Sequence, residues 1–329
     1  MKAIVCVKPG AVSGLAVSEI AGPSVPDDGV QVRVLDSSAN PVDLFPTSRI
    51  GNLVSSKQRR LALGTDFAGT VEAVGKDVTE FRAGDEVFGG ARGAFAELMC
   101  VPEKGAIVHR PAGVTSEQAG TVAVAATTAL QALRTHGGLE AGQRVLINGA
   151  SGGVGTFAVQ VACALGAEVT AVCSTRNVDM VRALGARTVV DYTSEDFTRG
   201  GERHDLIVDI AGSHSLRECR RVMAPRGTFV GVGAAGVQHG RAGIWRAIGH
   251  LLGTRVGSVG RSHRVVALFL ARLNKDDLRF LGDLIASGKV TPVIERRYEL
   301  SEVGAALSYM NEGHARAKIA IRVAAANGR

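Results

Sequence analysis

Cysteines and aromatic residues are scarce in this chain of 329 residues, which has five cysteines, one tryptophan, three tyrosines and ten phenylalanines. The cysteines are odd in number, widely scattered and without a C-x-x-C pair, which argues against a disulfide framework and favours a reducing cytoplasm. Long apolar runs are also missing, because threonines interrupt the longest candidate, Ala119–Leu133, before it reaches the ~18 residues of a membrane span. The N-terminal apolar stretch is too short for a secretory signal. We therefore expect a cytoplasmic protein that does not interact with membranes.

Charge and composition narrow the class of protein further. The chain has 38 Lys and Arg against 31 Asp and Glu, a net charge of +7 that is mostly spread along the sequence. It contains no helix-turn-helix, zinc-finger or RNA-binding signature, so nucleic acid is not expected as a partner. The positive balance suits an enzyme that binds a phosphorylated small molecule. The 42 glycines have no triplet period, which excludes collagen and suits an α/β protein with tight strand–helix turns.

Two patterns of predicted elements divide the chain. Residues 1–121 contain short apolar strands separated by turn signals, which predicts a β-rich domain. Strand, glycine turn and helix then alternate within residues 122–260, which predicts a doubly wound parallel sheet. The remaining residues, 261–329, are predicted to return to the first domain. Two helices and a strand are expected there, at Arg264–Leu273, Lys275–Ser287 and Ala317–Val323.

The strongest local signal is a glycine-rich turn between a predicted strand, Arg144–Asn148, and a predicted helix, Gly153–Leu165. In this G-x-x-G-x-x-G pattern the first glycine permits a tight turn, the second lets the backbone approach a pyrophosphate, and the third lets the helix pack on the strand. The helix N-terminus supplies amide groups and partial positive charge for phosphates. We therefore predict a dinucleotide site formed by Gly149, Ser151, Gly152, Gly153, Val154 and Gly155.

The end of the next predicted strand indicates which dinucleotide binds. NAD sites usually carry Asp or Glu there to hold the ribose 2′-hydroxyl. In this chain Ser174, Thr175 and Arg176 follow Cys173, and no carboxylate is present. A guanidinium favours a 2′-phosphate through charge-assisted, forked hydrogen bonds. The prediction is NADPH, with the alternative that Arg176 is a solvated residue that opens the next helix.

Further motifs follow one another in an order that is more specific than any of them alone. They are Asn40–Asp43, Gly64–Val71, Val74–Gly75, Gly84–Val87, Thr128–Leu133, Gly149–Gly155, Leu184–Ala186 and Val190–Tyr192. Over nearly its whole length the chain resembles the medium-chain dehydrogenase/reductase superfamily, specifically its zinc-free quinone oxidoreductase branch, which includes zeta-crystallin. The resemblance implies an α/β protein with a Rossmann domain and a GroES-like, partly open β-barrel catalytic domain. It also implies a cofactor in the cleft between these domains, and a homodimer.

The resemblance implies cofactor contacts as well. The residues are Thr128 near the nicotinamide, Ser174, Arg176 and Tyr192 around the adenosine phosphate, and Gly231, Gly233 and Lys318 along the cofactor cleft. Tyr192 can equally be an aromatic residue of an edge strand, and Thr128 an ordinary helix residue. The family more often has glycine where this chain has Ala317, directly before the lysine.

No metal site is predicted. In related zinc enzymes a cysteine stands in the place of Asn40, and a His-Glu pair in the place of Thr65 and Asp66. An amide and a hydroxyl are poor zinc ligands, so these residues do not assemble a catalytic zinc site. The lobe with four closely spaced cysteines is missing too, and the eight histidines form no cluster.

Without a metal ion, the protein can catalyse only some of the reactions of such dehydrogenases. Alcohol oxidation loses its means of lowering the hydroxyl pKa, whereas hydride transfer to a quinone or an α,β-unsaturated carbonyl remains feasible. Asn40 is the candidate for polarising or positioning the carbonyl, with Asp43 supporting its loop and Thr65 lining the site. An asparagine before proline is also a common turn device, so a structural role stays open.

Three functions remain possible at this point. The first is an NADPH-dependent quinone or enone reductase, the second an enoyl-thioester reductase of a biosynthetic pathway, and the third a non-catalytic, crystallin-like NADPH-binding protein. No residue is identifiable as the proton donor. This favours quinone-like acceptors, because their reduction can take its protons from water.

Overall fold

A computed structural model describes residues 1–7, 12–47, 63–232, 263–313 and 315–324. Its strands are β1 Lys2–Cys6, β2 Leu15–Glu19, β3 Gly29–Ser38, β4 Asp66–Val74, β5 Glu86–Gly90, β6 Leu98–Pro102, β7 Ile107–His109, β8 Arg144–Asn148, β9 Glu168–Cys173, β10 Thr188–Asp191, β11 His204–Asp209, β12 Met223–Val232, β13 Arg264–Phe269, β14 Ile294–Glu299 and β15 Lys318–Arg322. Its α-helices are α1 Ser116–Ala119, α2 Ala123–Leu130, α3 Gly153–Ala164, α4 Val178–Ala183, α5 Leu216–Cys219, α6 Lys275–Ala286 and α7 Val303–Asn311. No helix in the described ranges is long and apolar enough to cross a membrane.

The chain forms two compact units. The first comprises residues 1–127, 273–288 and 292–329, and the second comprises residues 128–272 and 289–291. The predicted ranges 1–121, 122–260 and 261–329 place both changes of unit earlier in the chain.

The first unit is built on a seven-stranded sheet of order β14-β15-β3-β4-β5-β7, with β6 also paired to β3. The pairs are antiparallel except for β14 with β15. Strand β3 alternates along its length, and Val30, Val32 and Val34 are fully buried with Phe67 in the core. This period of two is what a strand with one buried face requires, and the sheet is that of the predicted GroES-like domain.

The second unit contains a six-stranded sheet of order β10-β9-β8-β11-β12-β13, in which all the pairs are parallel. Counted from β8, this is the strand order 3-2-1-4-5-6 of a Rossmann fold, so the predicted doubly wound sheet is confirmed. In such sheets ligands bind outside the carboxyl ends of the strands, where the strand order reverses. That point lies between β8 and β11, which end at Asn148 and Asp209.

One predicted element is wrong. The segment Arg264–Leu273 was expected to be helical, but Arg264–Phe269 forms the edge strand β13, parallel to β12. Two adjacent β-branched valines, Val265 and Val266, suit a strand, and the open edge of β12 supplies the hydrogen-bonding partner. The next predicted helix is confirmed as α6, whose first turn is capped by the Asn274 side chain accepting from the Asp277 amide at 2.8 Å.

Candidate active site

The glycine turn joins β8 to α3 as predicted. Gly149 has a φ of +91°, a left-handed conformation that glycine adopts without steric cost. At Gly155 a Cβ atom would lie 2.1 Å from the carbonyl oxygen of Gly149, so the close approach of helix and turn requires glycine there. At Gly152 the nearest neighbour to such an atom would be the same oxygen at 3.7 Å. Packing within the protein therefore does not demand glycine at 152, whereas a ligand against the backbone would.

The backbone of the turn fits a diphosphate. The amides of Gly149 and Ala150 donate to the Val172 carbonyl oxygen at 3.2 and 3.0 Å, which fixes the turn to the neighbouring strand. Helix α3 begins after Gly152, which has no side chain with which to cap it. The amides of its first turn are thus presented at a helix N-terminus, the arrangement that binds phosphate groups. These residues fit the diphosphate of a nicotinamide dinucleotide.

A side-chain network that sequence reasoning missed supports this turn. Asn148 donates its amide hydrogens to Asp209 Oδ1 at 2.8 Å and to Ser213 Oγ at 3.0 Å. The same aspartate oxygen accepts from the Gly212 amide at 2.9 Å. The network ties together the carboxyl ends of β8 and β11, where the strand order reverses. Its only signal in the sequence is one polar residue at the end of each strand.

The residues predicted to select the cofactor lie at the ends of β9 and β10. Arg176 is exposed, and the Ser174 hydroxyl accepts from the Asn177 side chain at 3.0 Å. Tyr192, directly after β10, is 60% exposed and available to a ligand. The structure adds a carboxylate that the sequence analysis overlooked. Asp191 at the end of β10 accepts from the Thr175 hydroxyl at 2.6 Å, and this hydrogen bond lowers the pKa of Asp191.

The other predicted cofactor residues are distributed as follows. Thr128 is half-buried in α2, and Gly231 is buried near the end of β12, opposite Asp209 in the sheet. Gly233 lies outside the described residues. Lys318 belongs to the first unit, at the start of β15, where its ammonium contacts Asn40, one of the residues predicted to be catalytic. The assignment of these four residues to the cofactor stays a prediction.

The predicted catalytic residues meet in a buried polar cluster of the first unit. We call Asn40, Asp43, Thr65, Asp66 and Lys318 the Asn40–Lys318 cluster. Lys318 Nζ donates to Asn40 Oδ1 at 2.6 Å and pairs with Asp66 Oδ2 at 3.2 Å. The Thr65 hydroxyl donates to Asp43 Oδ1 at 2.8 Å, and the backbone amide of Asn40 donates to Asp43 Oδ2, also at 2.8 Å. All but the half-buried Thr65 are at most 3% exposed.

Asp66 is the centre of this cluster, although the sequence analysis gave it only a minor place. Its carboxylate accepts from the Ser38 hydroxyl at 2.6 Å, the Val124 backbone amide at 2.7 Å, the Asn40 side chain at 3.0 Å and Lys318. Four donors compensate the burial of this carboxylate, as a buried charge requires.

The side-chain amide of Asn40 is fully engaged. Its oxygen accepts from Lys318, and its two hydrogens go to Asp66 and to the Ser38 carbonyl oxygen at 3.2 Å. To polarise an acceptor carbonyl, as predicted, it would have to exchange one of these bonds. A positioning role needs no such exchange.

Asp43 has a perturbed pKa. Burial raises the pKa of its carboxyl to about 7 from an ordinary value of 3.8, and the nearby negative charge of Asp66 also raises it. The hydrogen bonds from Thr65 and Asn40 and the positive charge of Lys318 act in the opposite direction. The carboxyl therefore exchanges its proton near neutral pH.

Local backbone strain accompanies Lys318. The residue before it, Ala317, has a φ of +48°, in the left-handed region that favours glycine. This explains in physical terms why a glycine would suit the position. The strain costs on the order of 1 kcal/mol and is maintained by the surrounding structure.

Comparisons with known proteins agree with this architecture. Family models match for the alcohol dehydrogenase GroES-like domain over residues 26–112 and for zinc-binding dehydrogenase over residues 184–321. The chain is 34% identical to the mitochondrial NAD(P)H oxidoreductase RTN4IP1 of Mus musculus, with 89% of this chain and 81% of the mouse protein covered. It is 32% identical to the trans-enoyl reductase pgmF of Aspergillus terreus, with 90% and 86% covered. The quinone oxidoreductase structure from Coxiella burnetii superposes with a TM-score of 0.84 at 26% identity and covers 98% of this chain and 99% of that one.

The description of one family model raises the question of zinc. Among the described residues, no three His, Cys, Asp or Glu side chains are grouped so as to hold a metal ion. At the positions that correspond to zinc ligands, Asn40 and Asp66 both bind the Lys318 ammonium, and Thr65 donates to Asp43. A divalent cation beside this ammonium would meet strong repulsion. These residues do not fit a zinc ion.

The two family models match parts of both units, and the identity extends over most of each relative. The glycine turn, the strand order of the parallel sheet and the GroES-like sheet all agree with the family that these matches indicate. The chain belongs to the quinone oxidoreductase branch of the medium-chain dehydrogenase/reductase superfamily of NAD(P)H-dependent oxidoreductases.

Proposed function

We propose that the protein is an NADPH-dependent reductase that transfers a hydride to a quinone or an α,β-unsaturated carbonyl compound without zinc. The observation that carries this proposal is the buried Lys318 ammonium, bound to Asn40 and Asp66 where a zinc dehydrogenase needs metal ligands. Without a Lewis acid an alcohol hydroxyl keeps its high pKa. Quinones and enones need no such activation, because they are already electrophilic.

Two sets of residues would contribute to binding and catalysis. The backbone of Gly149–Gly155 would hold the diphosphate, and the bound nicotinamide would supply the hydride. The Asn40–Lys318 cluster would meet the acceptor at its one partly exposed member, Thr65, whose hydroxyl is held by the buried Asp43. Such preorganised groups stabilise charge that develops in a transition state.

A screen of acceptors tests the proposal. NADPH oxidation is measured with quinones, enones and enoyl thioesters, each with and without a metal chelator. Turnover with quinones or enones that survives chelation is expected. Stoichiometric, tightly bound zinc that is needed for turnover would overturn the proposal.

A second candidate is favoured by the similarity to the Aspergillus terreus trans-enoyl reductase. An enoyl-thioester reductase would turn over the thioesters and leave quinones unchanged in the same screen. A non-catalytic NADPH-binding protein would bind the dinucleotide tightly and turn over none of the acceptors.

The preference for NADPH has its own test. Arg176 favours a 2′-phosphate, while the carboxylate of Asp191 on the neighbouring strand weighs against one. We expect R176D to lower the ratio of kcat/KM for NADPH to that for NADH at least tenfold. R187D is the matched control, because Arg187 precedes β10 at the opposite end of the sheet, in an exposed pair with Glu168. A variant R176D that keeps the full preference would remove the assignment.

The remaining predictions concern the protein in the cell. A homodimer in the cytoplasm acting on a small electrophile stays a prediction. Light scattering and cell fractionation can check it.

A further inference from the structure

We propose that Asp43 supplies the proton of the reduction and that the hydroxyl of Thr65 passes it to the acceptor. The inference rests on the proposed function and deepens it, since hydride transfer to a carbonyl compound also needs a proton. In this assignment Thr65 is the catalytic residue, because it touches the acceptor. Asp43 acts through it as the proton reservoir.

The geometry forms a path from the interior of the first unit outward. Asp43 is only 3% exposed, so water and substrate do not reach its carboxyl directly. Its Oδ1 atom accepts from the Thr65 hydroxyl at 2.8 Å, and Thr65 is the member of the cluster that is partly exposed. A proton that leaves the Asp43 carboxyl towards the surface therefore has the Thr65 oxygen as its next position.

A hydroxyl has one hydrogen to donate and lone pairs with which to accept. While Asp43 is ionised, the Thr65 hydrogen points to the carboxylate, and the outward side of the hydroxyl can only accept. When Asp43 is protonated, the carboxyl can donate to Thr65, which frees the threonine hydrogen for an acceptor oxygen. The protonation state of one buried carboxyl thus determines whether Thr65 is a donor.

The charges around Asp43 allow it to change protonation near neutral pH. Among the residues that the structure describes, those that act on it are Asp66 on β4, which favours the protonated form, and Lys318 on β15, which favours the ionised form. The 3-10 helix Val12–Gly14, which neighbours the short helix that carries Asp43, has no ionisable side chain. In α7 the only ionisable side chain is Tyr309, whose hydroxyl donates to Glu295 at 3.1 Å. Burial and Asp66 together therefore keep the proton on Asp43 up to about pH 7.

The step balances as follows. The acceptor gains a hydride, with its two electrons, from the reduced nicotinamide, and the C=O oxygen of the acceptor becomes an oxyanion or enolate oxygen. That oxygen takes the hydroxyl proton of Thr65, so one O–H bond breaks and another forms. The Thr65 oxygen takes the carboxyl proton of Asp43, and after the product leaves, the carboxylate is reprotonated from water through the Thr65 hydroxyl.

The contrasting interpretation is that Asp43 is only a brace. Its Oδ2 atom accepts from the Asn40 amide, which closes the first turn of the 3-10 helix Pro41–Thr47. Asparagine can take over this bracing because it has the same shape and retains an oxygen acceptor. It cannot donate a titratable proton. D43N therefore separates the two roles.

The first test uses the cofactor-free protein. The Asp43 carboxyl is followed by infrared difference spectroscopy against pH, with D43N to identify its band. The expected midpoint is near pH 7, and T65V should raise it because the hydrogen bond from Thr65 stabilises the carboxylate. A midpoint near the ordinary value of 3.8 would overturn the proposal.

The second test is the pH profile of kcat with an acceptor identified by the screen, under conditions in which chemistry limits turnover. The wild type should lose activity above about pH 7, because Asp43 loses its proton. D43N and T65V should be about 10²-fold slower at pH 6 and should lack this descending limb. T65S should keep it, because serine restores the hydroxyl. D36N is the matched control, since Asp36 is also a buried carboxyl of the first unit with a hydroxyl partner, Ser116, and its limb should remain.

The results separate this inference from the proposed function. A wild-type enzyme that reduces quinones or enones, with an unchanged limb in D43N, would overturn the proton path and leave the function standing. A protein that turns over no acceptor would remove the function, whereas the Asp43 midpoint and its response to T65V would still be measurable.

Discussion

The glycine turn of the second unit and the polar cluster of the first unit are built in different ways. The glycine turn uses backbone atoms of neighbouring residues, Gly149–Gly155, whose conformation is set by glycine. The Asn40–Lys318 cluster uses side chains, and the two residues for which it is named are 278 positions apart in the chain. A turn of this kind depends on the absence of side chains at a few positions. The cluster depends on every charge and hydrogen bond being matched, because its members are buried.

The largest effect should come from removing the central charge of the cluster. D66N leaves the Lys318 ammonium buried without its carboxylate, and the free energy of unfolding should fall by about 3–5 kcal/mol. Adding K318M to D66N should restore part of that loss, so urea unfolding of the two single variants and the double variant should be non-additive. E72Q breaks the exposed pair with Arg33 and should cost below ~1 kcal/mol. Additive effects would contradict the view of the cluster as one unit.

A comparable effect is expected in the pH dependence of stability. The folded state holds a proton on Asp43 up to about pH 7, whereas the unfolded chain releases it near 3.8. Stability contributed by the protonated form is present at low pH and is lost as pH rises between these values. The free energy of unfolding of D43N should therefore rise relative to that of the wild type between pH 4 and pH 8, by up to about 4 kcal/mol. Urea unfolding across this pH range measures the difference between D43N and the wild type, with D276N as an exposed control. A difference that stays constant with pH would refute the prediction.

In the turn, two glycines should respond differently to the same methyl group. G155A places a Cβ 2.1 Å from the Gly149 oxygen, so the free energy of unfolding should fall by about 1–3 kcal/mol. G152A meets nothing closer than 3.7 Å and should unfold like the wild type. It should nevertheless bind NADPH more weakly by calorimetry, because a methyl group would keep the diphosphate of the proposed site from approaching this backbone closely. Unchanged affinity in G152A would mean that the dinucleotide does not rest there.

The smallest effect concerns the strained residue beside the cluster. A317G relieves the left-handed φ of +48° and should raise the free energy of unfolding by about 0.5–1 kcal/mol. Ala320 lies inside β15 in extended pairing with Ser38, so A320G should instead destabilise by ~1 kcal/mol. Thermal unfolding of both variants checks this. Destabilisation by A317G would show that the conformation is not strained.

The same contrast explains how far sequence reasoning reached. The turn was predictable because strand, glycines and helix follow one another within a few residues, each with its own local signal. The edge strand β13 was assigned as a helix, because its pairing partner β12 is not visible in its own sequence pattern. Asp191 was overlooked, because it reaches the residues predicted to select the cofactor by belonging to the strand beside them.

The sequence alone determined the family, the Rossmann domain and the position of the glycine turn, since backbone conformation and hydrophobic period are local properties of the chain. Only the tertiary structure decided what surrounds Asn40. Lys318 becomes its partner when β15 pairs with β3, and Asp66 becomes the shared acceptor when β4 pairs with the other edge of β3. Burial then raises the pKa of Asp43, a property that no residue has by itself.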